Sequence, residues 1–210
     1  MIQNKLDDII QSFCGDDELR ETMMNPHFEP DTKQIIATNK HVLIVAPDKY
    51  FDGKYETNKA FPNWQAVMPK QSELPLFKLK THDILAEVAL IPLVDIFDTC
   101  RFCQGGGTHQ CTCGDMHDCA PCQGTGEDSY KVIGKELPHT TRFKIKGIAY
   151  SCKYINQIAE VAERLCIDEI PIYAQYERKP FLVMLDEIKI MIMPLPGIDA
   201  DKIHIELQTY

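Results

Sequence analysis

Cysteines spaced like metal ligands stand out in the middle of this 210-residue chain. Six of its nine cysteines lie between Cys100 and Cys122. They include two copies of the pattern C-x-x-C-x-G-x-G, at Cys100, Cys103, Gly105 and Gly107 and at Cys119, Cys122, Gly124 and Gly126. Two thiolates three positions apart in a tight turn can occupy two corners of a tetrahedron, and a second pair can supply the other two. The spacing therefore predicts a zinc site formed by Cys100, Cys103, Cys119 and Cys122.

Zinc is favoured over a disulfide framework, and a structural role over a catalytic one. The cysteine count is odd, and the N-terminal stretch MIQNKLDDII has neither the basic nor the long apolar region of a secretory signal. Four cysteine ligands leave no open coordination position on the metal for a substrate. The residues between the two pairs stay open as spare side chains, alternative ligands or a weak second site: His109, Cys111, Cys113 and His117.

The repeated pattern resembles the cysteine-rich zinc region of the DnaJ chaperones. The resemblance covers about 27 residues, and neither the His-Pro-Asp signature of a J domain nor a Gly/Phe-rich linker occurs in the chain. It implies a zinc-binding segment, and it offers one functional alternative. In that alternative the zinc module grips a protein client, as in a chaperone adaptor, and does not bind DNA.

Composition sets broad limits on function. The net charge of −9 excludes a wholly basic surface that coats nucleic acid, although it leaves room for a local basic face. No apolar run approaches the roughly 20 residues that a membrane helix needs, so a cytoplasmic protein is expected. No P-loop, G-x-S-x-G, H-E-x-x-H or dinucleotide motif is present. We therefore expect a protein that is not an enzyme and has no small-molecule substrate.

Two segments have the apolar spacing of an amphipathic helix. The first covers residues 2–13, and the second begins after Ser151, which is expected to cap it. Each helix is followed by short β-rich runs joined by tight turns. These runs are 34–38 and 41–46 after the first helix, and 170–176, 181–185 and 188–193 after the second. The fold class is therefore predicted to be α+β, with helices in one layer and antiparallel sheets in another.

Further β-rich runs flank the cysteines, namely 84–97, which is broken at Pro92, and 142–149. The cysteines are thus predicted to form an inserted zinc-knuckle module at 99–128. The surrounding α+β domain would comprise residues 1–98 and 129–210. Three smaller expectations concern single features: Trp64 anchors a long connection, Cys166 packs in the core, and residues 203–207 add an edge strand.

Several short stretches resemble a bacterial DNA sliding clamp, the β subunit of DNA polymerase III. Residues 143–194 resemble the closing half of a clamp domain, whose last strand also ends in Met-Pro. Upstream, Ile36–Leu43 (IATNKHVL) resembles the clamp stretch Ala-Thr-Asp-Gly-His-Arg-Leu, and Phe61–Pro69 resembles Phe-Pro-Asp-Tyr…Ile-Pro. The resemblance implies a clamp-like domain of two β-α-β-β-β halves, with both helices on the face that lines DNA in a clamp.

The chain also departs from the clamp pattern. The two upstream stretches lie closer together than in the family, the family has no zinc insertion, and a clamp subunit has three domains where this chain has room for one. The predicted helices are not basic, because Lys5 is offset by Asp7 and Asp8, and Lys153 and Arg164 are offset by Glu160 and Glu163. A clamp-like fold is therefore expected without the DNA-lining charge.

The functional prediction is a non-enzymatic accessory of DNA replication or repair: a clamp-like domain that binds DNA or a polymerase or clamp partner. Its cofactor would be zinc. A ring would require an oligomer, because one chain has room for a single clamp domain. A basic strand face and residues beside the knuckle are the candidates for nucleic-acid binding: Arg142, Lys144, Lys146, Arg101 and Lys131. The alternative function is the zinc-ribbon or DnaJ-like adaptor described above.

Overall fold

A computed structural model describes residues 5–16, 18–111, 114–138, 140–174, 180–195 and 203–210. The chain divides into two compact units, one of Met1–Leu90 with His139–Tyr210 and one of Ile91–Pro138. The cysteine module predicted at 99–128 lies within the second unit. None of the helices in the described ranges is both long and apolar enough to cross a membrane.

The first unit is built on a seven-stranded antiparallel sheet. Its strands are β1 (His27–Glu29), β2 (Gln34–Thr38), β3 (Val42–Pro47), β4 (Phe77–Lys80), β11 (Glu169–Ala174), β12 (Phe181–Leu185) and β13 (Ile188–Ile192). Their order across the sheet is β1-β2-β3-β13-β12-β11-β4. The pairing of β3 with β13 therefore joins strands from opposite ends of the chain. The predicted β2–β3 hairpin is present, and the Asn39 side chain accepts hydrogen bonds from the amides of His41 and Val42 across its turn.

A second sheet in this unit has three strands: β9 (Thr141–Ile145), β10 (Ile148–Ser151) and β14 (Ile203–Glu206). Strand β9 lies in the middle, antiparallel to β10 and parallel to β14. Strand β14 is the edge strand that the alternation at 203–207 predicted.

The α-helices in the described ranges are α1 (Asp7–Ile10), which continues as a 3₁₀ turn at Gln11–Phe13, α2 (Thr81–Ala89) and α3 (Cys152–Arg164). Further 3₁₀ turns lie at Glu18–Met23, Asp48–Tyr50 and Trp64–Val67. Helix α3 packs against α2. It also meets the first helix, because Gln157 donates to the carbonyl of Ser12 and Arg164 forms two short bonds to the Asp8 carboxylate. Ser151 precedes α3 as predicted, but its side chain makes no capping bond. The α+β fold class with antiparallel sheets is confirmed.

Apolar side chains cover both faces of the large sheet. On one face Ile36, Leu43, Val45 and Met191 form a buried cluster, and Phe61, Trp64 and Met68 of the long connection pack on it. Trp64 therefore anchors this connection, as the sequence predicted. On the opposite face of this sheet, side chains such as Ile44 and Ile190 are fully buried.

Residues 84–97 do not form the single β-type run that was predicted. The segment is helical to Ala89, and the strand β5 (Val94–Thr99) begins only after Pro92. Ala86, Glu87 and Ala89 favour helix, and Thr81 and Ile84 bury one side of it at a spacing of three. The periodicity of a short apolar run does not distinguish a buried strand from a short helix. In this segment the helix-favouring residues determine the structure.

Two further expectations were wrong in detail. Residues 142–149 form a hairpin instead of one strand, because Lys146 and Gly147 both have positive φ (47° and 82°), as a two-residue hairpin turn requires. Cys166 is exposed instead of buried, since it follows the end of α3 in a left-handed conformation with φ 55°.

Candidate metal centre

Two antiparallel strand pairs of the second unit position the cysteines. Strand β5 pairs antiparallel with β8 (Glu127–Glu136), and β6 (Thr108–Gln110) pairs with β7 (Met116–Asp118). The first cysteine pair follows β5, and the second pair lies between β7 and β8. The two ladders therefore bring the pairs together at one place in this unit.

The four predicted ligands lie together. Their Sγ atoms are all within 4.8 Å of one another, and Cys100, Cys119 and Cys122 are buried while Cys103 is half-buried. The Sγ atoms of Cys100 and Cys119 are 3.9 Å apart, and those of Cys103 and Cys122 are 3.7 Å apart. A tetrahedron of sulfurs around zinc at 2.3 Å has edges of about 3.8 Å. The side chains thus have the spacing of a four-sulfur metal site, and together they can bind a metal ion.

The two cysteine pairs are arranged as matching halves. The amide of Cys100 donates to the carbonyl of Gly126 over 2.8 Å, and the amide of Cys119 donates to the carbonyl of Gly107 over 2.7 Å. The residues after each pair also repeat the same backbone: φ is 53° and 86° at Gln104 and Gly105, and 54° and 86° at Gln123 and Gly124. Both halves therefore use one turn conformation and bond reciprocally.

The last glycine of each repeat has no room for a side chain. A Cβ on Gly107 would lie 2.3 Å from the carbonyl oxygen of Gly124, and one on Gly126 would lie 2.3 Å from that of Gly105. Both residues also have positive φ. Within the second half, the Gly126 amide also donates to Cys122 Sγ at 3.3 Å. The glycines are thus part of the site, because they allow the two halves to meet and an amide to reach a sulfur.

The pKa values of two clustered thiols shift in opposite directions. Burial raises the pKa of the Cys119 thiol to about 12, because the thiolate loses its hydration. Burial also acts upward on Cys122, but the Gly126 amide and the neighbouring thiols lower the pKa of that thiol to about 7. A dication among the sulfurs would stabilise the thiolate form of all four, since a coordinating thiol is deprotonated. The donor set therefore fits a soft or borderline divalent metal.

The alternative ligand Cys111 and the two nearby histidines do not belong to this cluster. Cys111 lies outside the four-cysteine group and is disulfide-bonded. Cys113 lies outside the described residues. His109 and His117 are exposed on the β6–β7 hairpin.

The predicted basic residues are placed in different surroundings. Arg142 is buried in β9, and the Lys144 ammonium lies 3.8 Å from the Glu206 carboxylate. Lys146 lies over the ring of Phe77, with its ammonium 4.3 Å from the ring centroid. In the second unit, Lys131 pairs with Asp98 and Arg101 is exposed. Burial of Arg142 leaves no continuous basic face along β9.

Sequence reasoning missed a polar cleft in the first unit. This cleft, of about 520 Å³, is bordered by Arg20, Lys40, His41 and Lys153, with Asp16 and Tyr154 beside them. The residues come from the segment after α1, the β2–β3 turn and the first turn of α3. No fixed spacing connects three separate segments, so only the fold reveals the group.

No family model matches the chain, and no curated protein does either. The resemblance to DnaJ therefore rests on the cysteine repeat alone.

Solved structures of bacterial sliding clamps are similar to the chain. A putative DNA polymerase III β subunit from Eubacterium rectale has 12% identity and a TM-score of 0.50, over 92% of this chain and 62% of that chain. The β subunit from Borrelia burgdorferi has 14% identity and a TM-score of 0.50, over 93% and 61%. The sliding clamp from Pseudomonas aeruginosa has 10% identity and a TM-score of 0.49, over 93% and 64%. The chain thus spans less than two thirds of the length of these clamps. With the two that reach a TM-score of 0.50 it shares the fold, which is clamp-like.

Proposed function

We propose that the protein is a non-enzymatic accessory of DNA replication or repair, which acts through contact with a polymerase or clamp partner and carries a structural zinc ion. The clamp-like fold is the observation that carries this proposal. It extends over 92% and 93% of the chain in the two comparisons that reach a TM-score of 0.50.

The cysteine cluster supports zinc as the metal and a structural role for it. Sulfur edges of 3.7 and 3.9 Å suit zinc–sulfur bonds, and tetrahedral four-cysteine sites are typical of structural zinc. Four sulfurs fill the coordination sphere, so a substrate would have to displace a ligand to reach the ion. This supports a protein without metal catalysis.

The pairing of charges favours a protein partner over an encircled duplex. Non-specific DNA binding depends on Lys and Arg side chains that can replace the counterions of phosphates. Arg164 of α3 is held by Asp8 of the first helix. The ammonium of Lys5, just before that helix, lies 2.8 Å from the Asp52 carboxylate. The net charge of −9 opposes approach to DNA as well. If DNA is bound, the cleft that Arg20, Lys40 and Lys153 border is the candidate phosphate contact.

Binding assays with purified components test the proposal. The replicative clamp and polymerase of the source organism are immobilised in turn, and primed DNA is titrated separately by fluorescence anisotropy at 50 and 200 mM salt. We expect micromolar or tighter binding to one of the two proteins, with a Kd below about 10 μM. Absence of binding to both proteins at about 100 μM would exclude this role.

The DNA titration distinguishes contact with a protein partner from direct DNA binding. Tight DNA binding that falls steeply with salt, and that Lys40→Glu with Lys153→Glu abolishes, would replace the protein-contact mechanism with direct DNA binding. Lys70→Glu is the control, because Lys70 is exposed and lies outside the cleft.

A second candidate function, the protein-interaction adaptor, is favoured by exposed aromatic side chains in the second unit. Tyr130 is 95% exposed and Phe102 72% exposed, and both border a pocket of about 290 Å³ with Glu127 and Asp128. Large exposed apolar groups at one site often mark a protein contact. Suppression of the aggregation of a denatured client, abolished by Phe102→Ala with Tyr130→Ala, would support the adaptor. If the parent protein does not suppress aggregation, the adaptor function is excluded.

A further inference from the structure

The hairpin between the two cysteine pairs keeps a regular register as far as Cys111 and Asp115. Thr108 faces Asp118, His109 faces His117 and Gln110 faces Met116. One step further, the amide of Cys111 donates to the carbonyl of Asp115 over 2.9 Å. Gly114, with φ 93°, donates to the carbonyl of Cys111 over 3.0 Å, so the turn is closed by a left-handed glycine. The ladder therefore places Cys111 opposite Asp115.

Strand alternation then collects metal-binding side chains on one face of the hairpin. Residues two apart on a strand share a face, as do residues directly opposite each other. Two ladder steps separate the His109–His117 pair from the Cys111–Asp115 pair. Four residues of metal-binding types thus share one face: His109, Cys111, Asp115 and His117. Gln110 and Met116, at the positions between these two pairs, lie on the other face.

The two histidines are close and have no evident packing role. Their ring centroids are 6.3 Å apart at an interplanar angle of 43°, and both side chains are exposed. Two imidazoles bound to one tetrahedral ion at 2.0–2.1 Å have ring centroids about 5 Å apart. Rotation of two exposed side chains covers this difference, since nothing needs to be unpacked.

The charge of the second unit also favours a cation. Residues 91–138 contain seven carboxylate side chains against three of Lys and Arg. Asp115 belongs to the histidine face and Asp118 lies next to His117 along β7. A cation at the hairpin therefore lies in a region of net negative charge, which raises its local concentration.

We propose that His109 and His117, with the Asp115 carboxylate, bind a divalent transition-metal ion at a second, solvent-exposed site. Imidazole and carboxylate donors suit Zn²⁺, Ni²⁺ and Cu²⁺. Cys111 is disulfide-bonded and contributes no thiolate. Water fills the remaining coordination positions, so the ion exchanges readily, in contrast to an ion held by four buried or half-buried sulfurs.

A zinc titration tests the second site. Tag-free protein is dialysed until only tightly bound zinc remains, and Zn²⁺ is then added in a calorimeter without thiol reductant. We expect one further zinc per chain. His109→Ala and His117→Ala should each weaken this event at least about tenfold, because even the loss of a residue that merely orients a ligand costs 10–100-fold in metal affinity. Asp115→Asn should weaken it by a smaller factor.

His82→Ala is the matched control, since that side chain is 91% exposed on α2 in the first unit. It should leave the second event unchanged, and all variants should retain the tightly bound zinc, which shows that the module is folded. In NMR spectra, the imidazole signals of His109 and His117 should shift together during the titration. The proposal is overturned if no second event occurs up to about 1 mM zinc, or if the three hairpin variants bind zinc like the parent.

Discussion

At the scale of single residues, the metal centre depends on four cysteine side chains and on two glycines, which have no side chain. Four sulfurs supply the donors, while Gly107 and Gly126 let the two halves approach to the point where any Cβ would collide with a carbonyl oxygen. The C-x-x-C-x-G-x-G pattern therefore encodes the ligands together with the backbone that brings them together.

Replacement of a ligand should release the metal. Cys103→Ser removes one of four sulfurs, and we expect the affinity for zinc to fall by at least about 100-fold, because an oxygen cannot replace a thiolate in this set. Zinc content after competition with a colorimetric chelator measures this. Cys166→Ser is the control, since Cys166 is a free, exposed thiol outside the cluster. Unchanged zinc content in Cys103→Ser would show that the ligand set is wrong.

Two glycine substitutions separate backbone strain from collision. Gly126→Ala places a Cβ 2.3 Å from the Gly105 carbonyl oxygen, whereas Gly114→Ala meets nothing within 4 Å, and both residues have positive φ (79° and 93°). Gly114→Ala should therefore cost only the left-handed penalty of about 1–2 kcal/mol. Gly126→Ala should cost more and weaken zinc binding, measured by the same chelator competition. Equal effects of the two changes would mean that the close approach does not matter.

The cluster of four cysteines was predictable from the sequence because it is local, within 23 residues, and its spacing is typical of metal ligands. The basic candidates were not predictable in the same way. Alternation marked Arg142 as outward-facing, but β9 is the central strand of its sheet, and Arg142 is buried. The cleft at Arg20, Lys40 and Lys153 has no local pattern at all. Burial and long-range proximity are properties of the assembled sheets.

At the scale of elements, strands and turns with strong local chemistry were predicted well. The β2–β3 and β12–β13 hairpins follow from β-rich runs interrupted by polar turn residues. Helix α2 was missed because ILAEVAL is apolar at almost every position, and an even distribution has no period. The β9–β10 hairpin was missed because its Lys-Gly turn carries no Asn or Asp.

The Asp7 carboxylate binds the first helix to residues 52–55 of the long connection. Asp7 accepts bonds of 2.8 Å from the amides of Asp52 and Gly53 and from the Tyr55 hydroxyl. Burial by itself raises the pKa of Asp7, but these three donors outweigh it and hold the pKa below its usual value. The ionised form is thus favoured in the folded state.

Asp7→Asn should therefore destabilise the first unit in a pH-dependent way. A carboxyl group whose pKa is lowered by folding stabilises the protein above its unfolded pKa of about 3.9, and this contribution is lost as the pH falls through the folded pKa. We expect a loss of about 1–3 kcal/mol at pH 7 and a smaller difference from the parent at pH 3. Denaturant unfolding followed by Trp64 fluorescence measures it. Asp31→Asn, at an exposed carboxylate, is the control. A difference that does not change with pH would contradict this role of Asp7.

At the scale of the whole molecule, the two units depend on different sources of stability. The first unit buries the apolar faces of its sheets and helices. In the described part of the second unit, the buried apolar side chains are Ile91 and three of the four clustered cysteines, while Phe102, Met116 and Tyr130 are exposed. A unit with so little apolar burial needs another source of stability, and for a small metal module the binding energy of the metal is folding energy.

Removal of the metal should therefore unfold the second unit and leave the first intact. With a strong chelator and a reductant, we expect backbone amides of β5 and β8 to lose protection from hydrogen exchange, while β3, β12 and β13 stay protected. The emission of Trp64 provides an independent readout, because it is the single tryptophan of the chain and packs on the large sheet of the first unit. Its emission and its thermal transition should not change. Re-addition of zinc should restore protection in β5 and β8. If chelation instead shifts the Trp64 transition, or if β5 and β8 stay protected without metal, the two units do not draw on separate sources of stability.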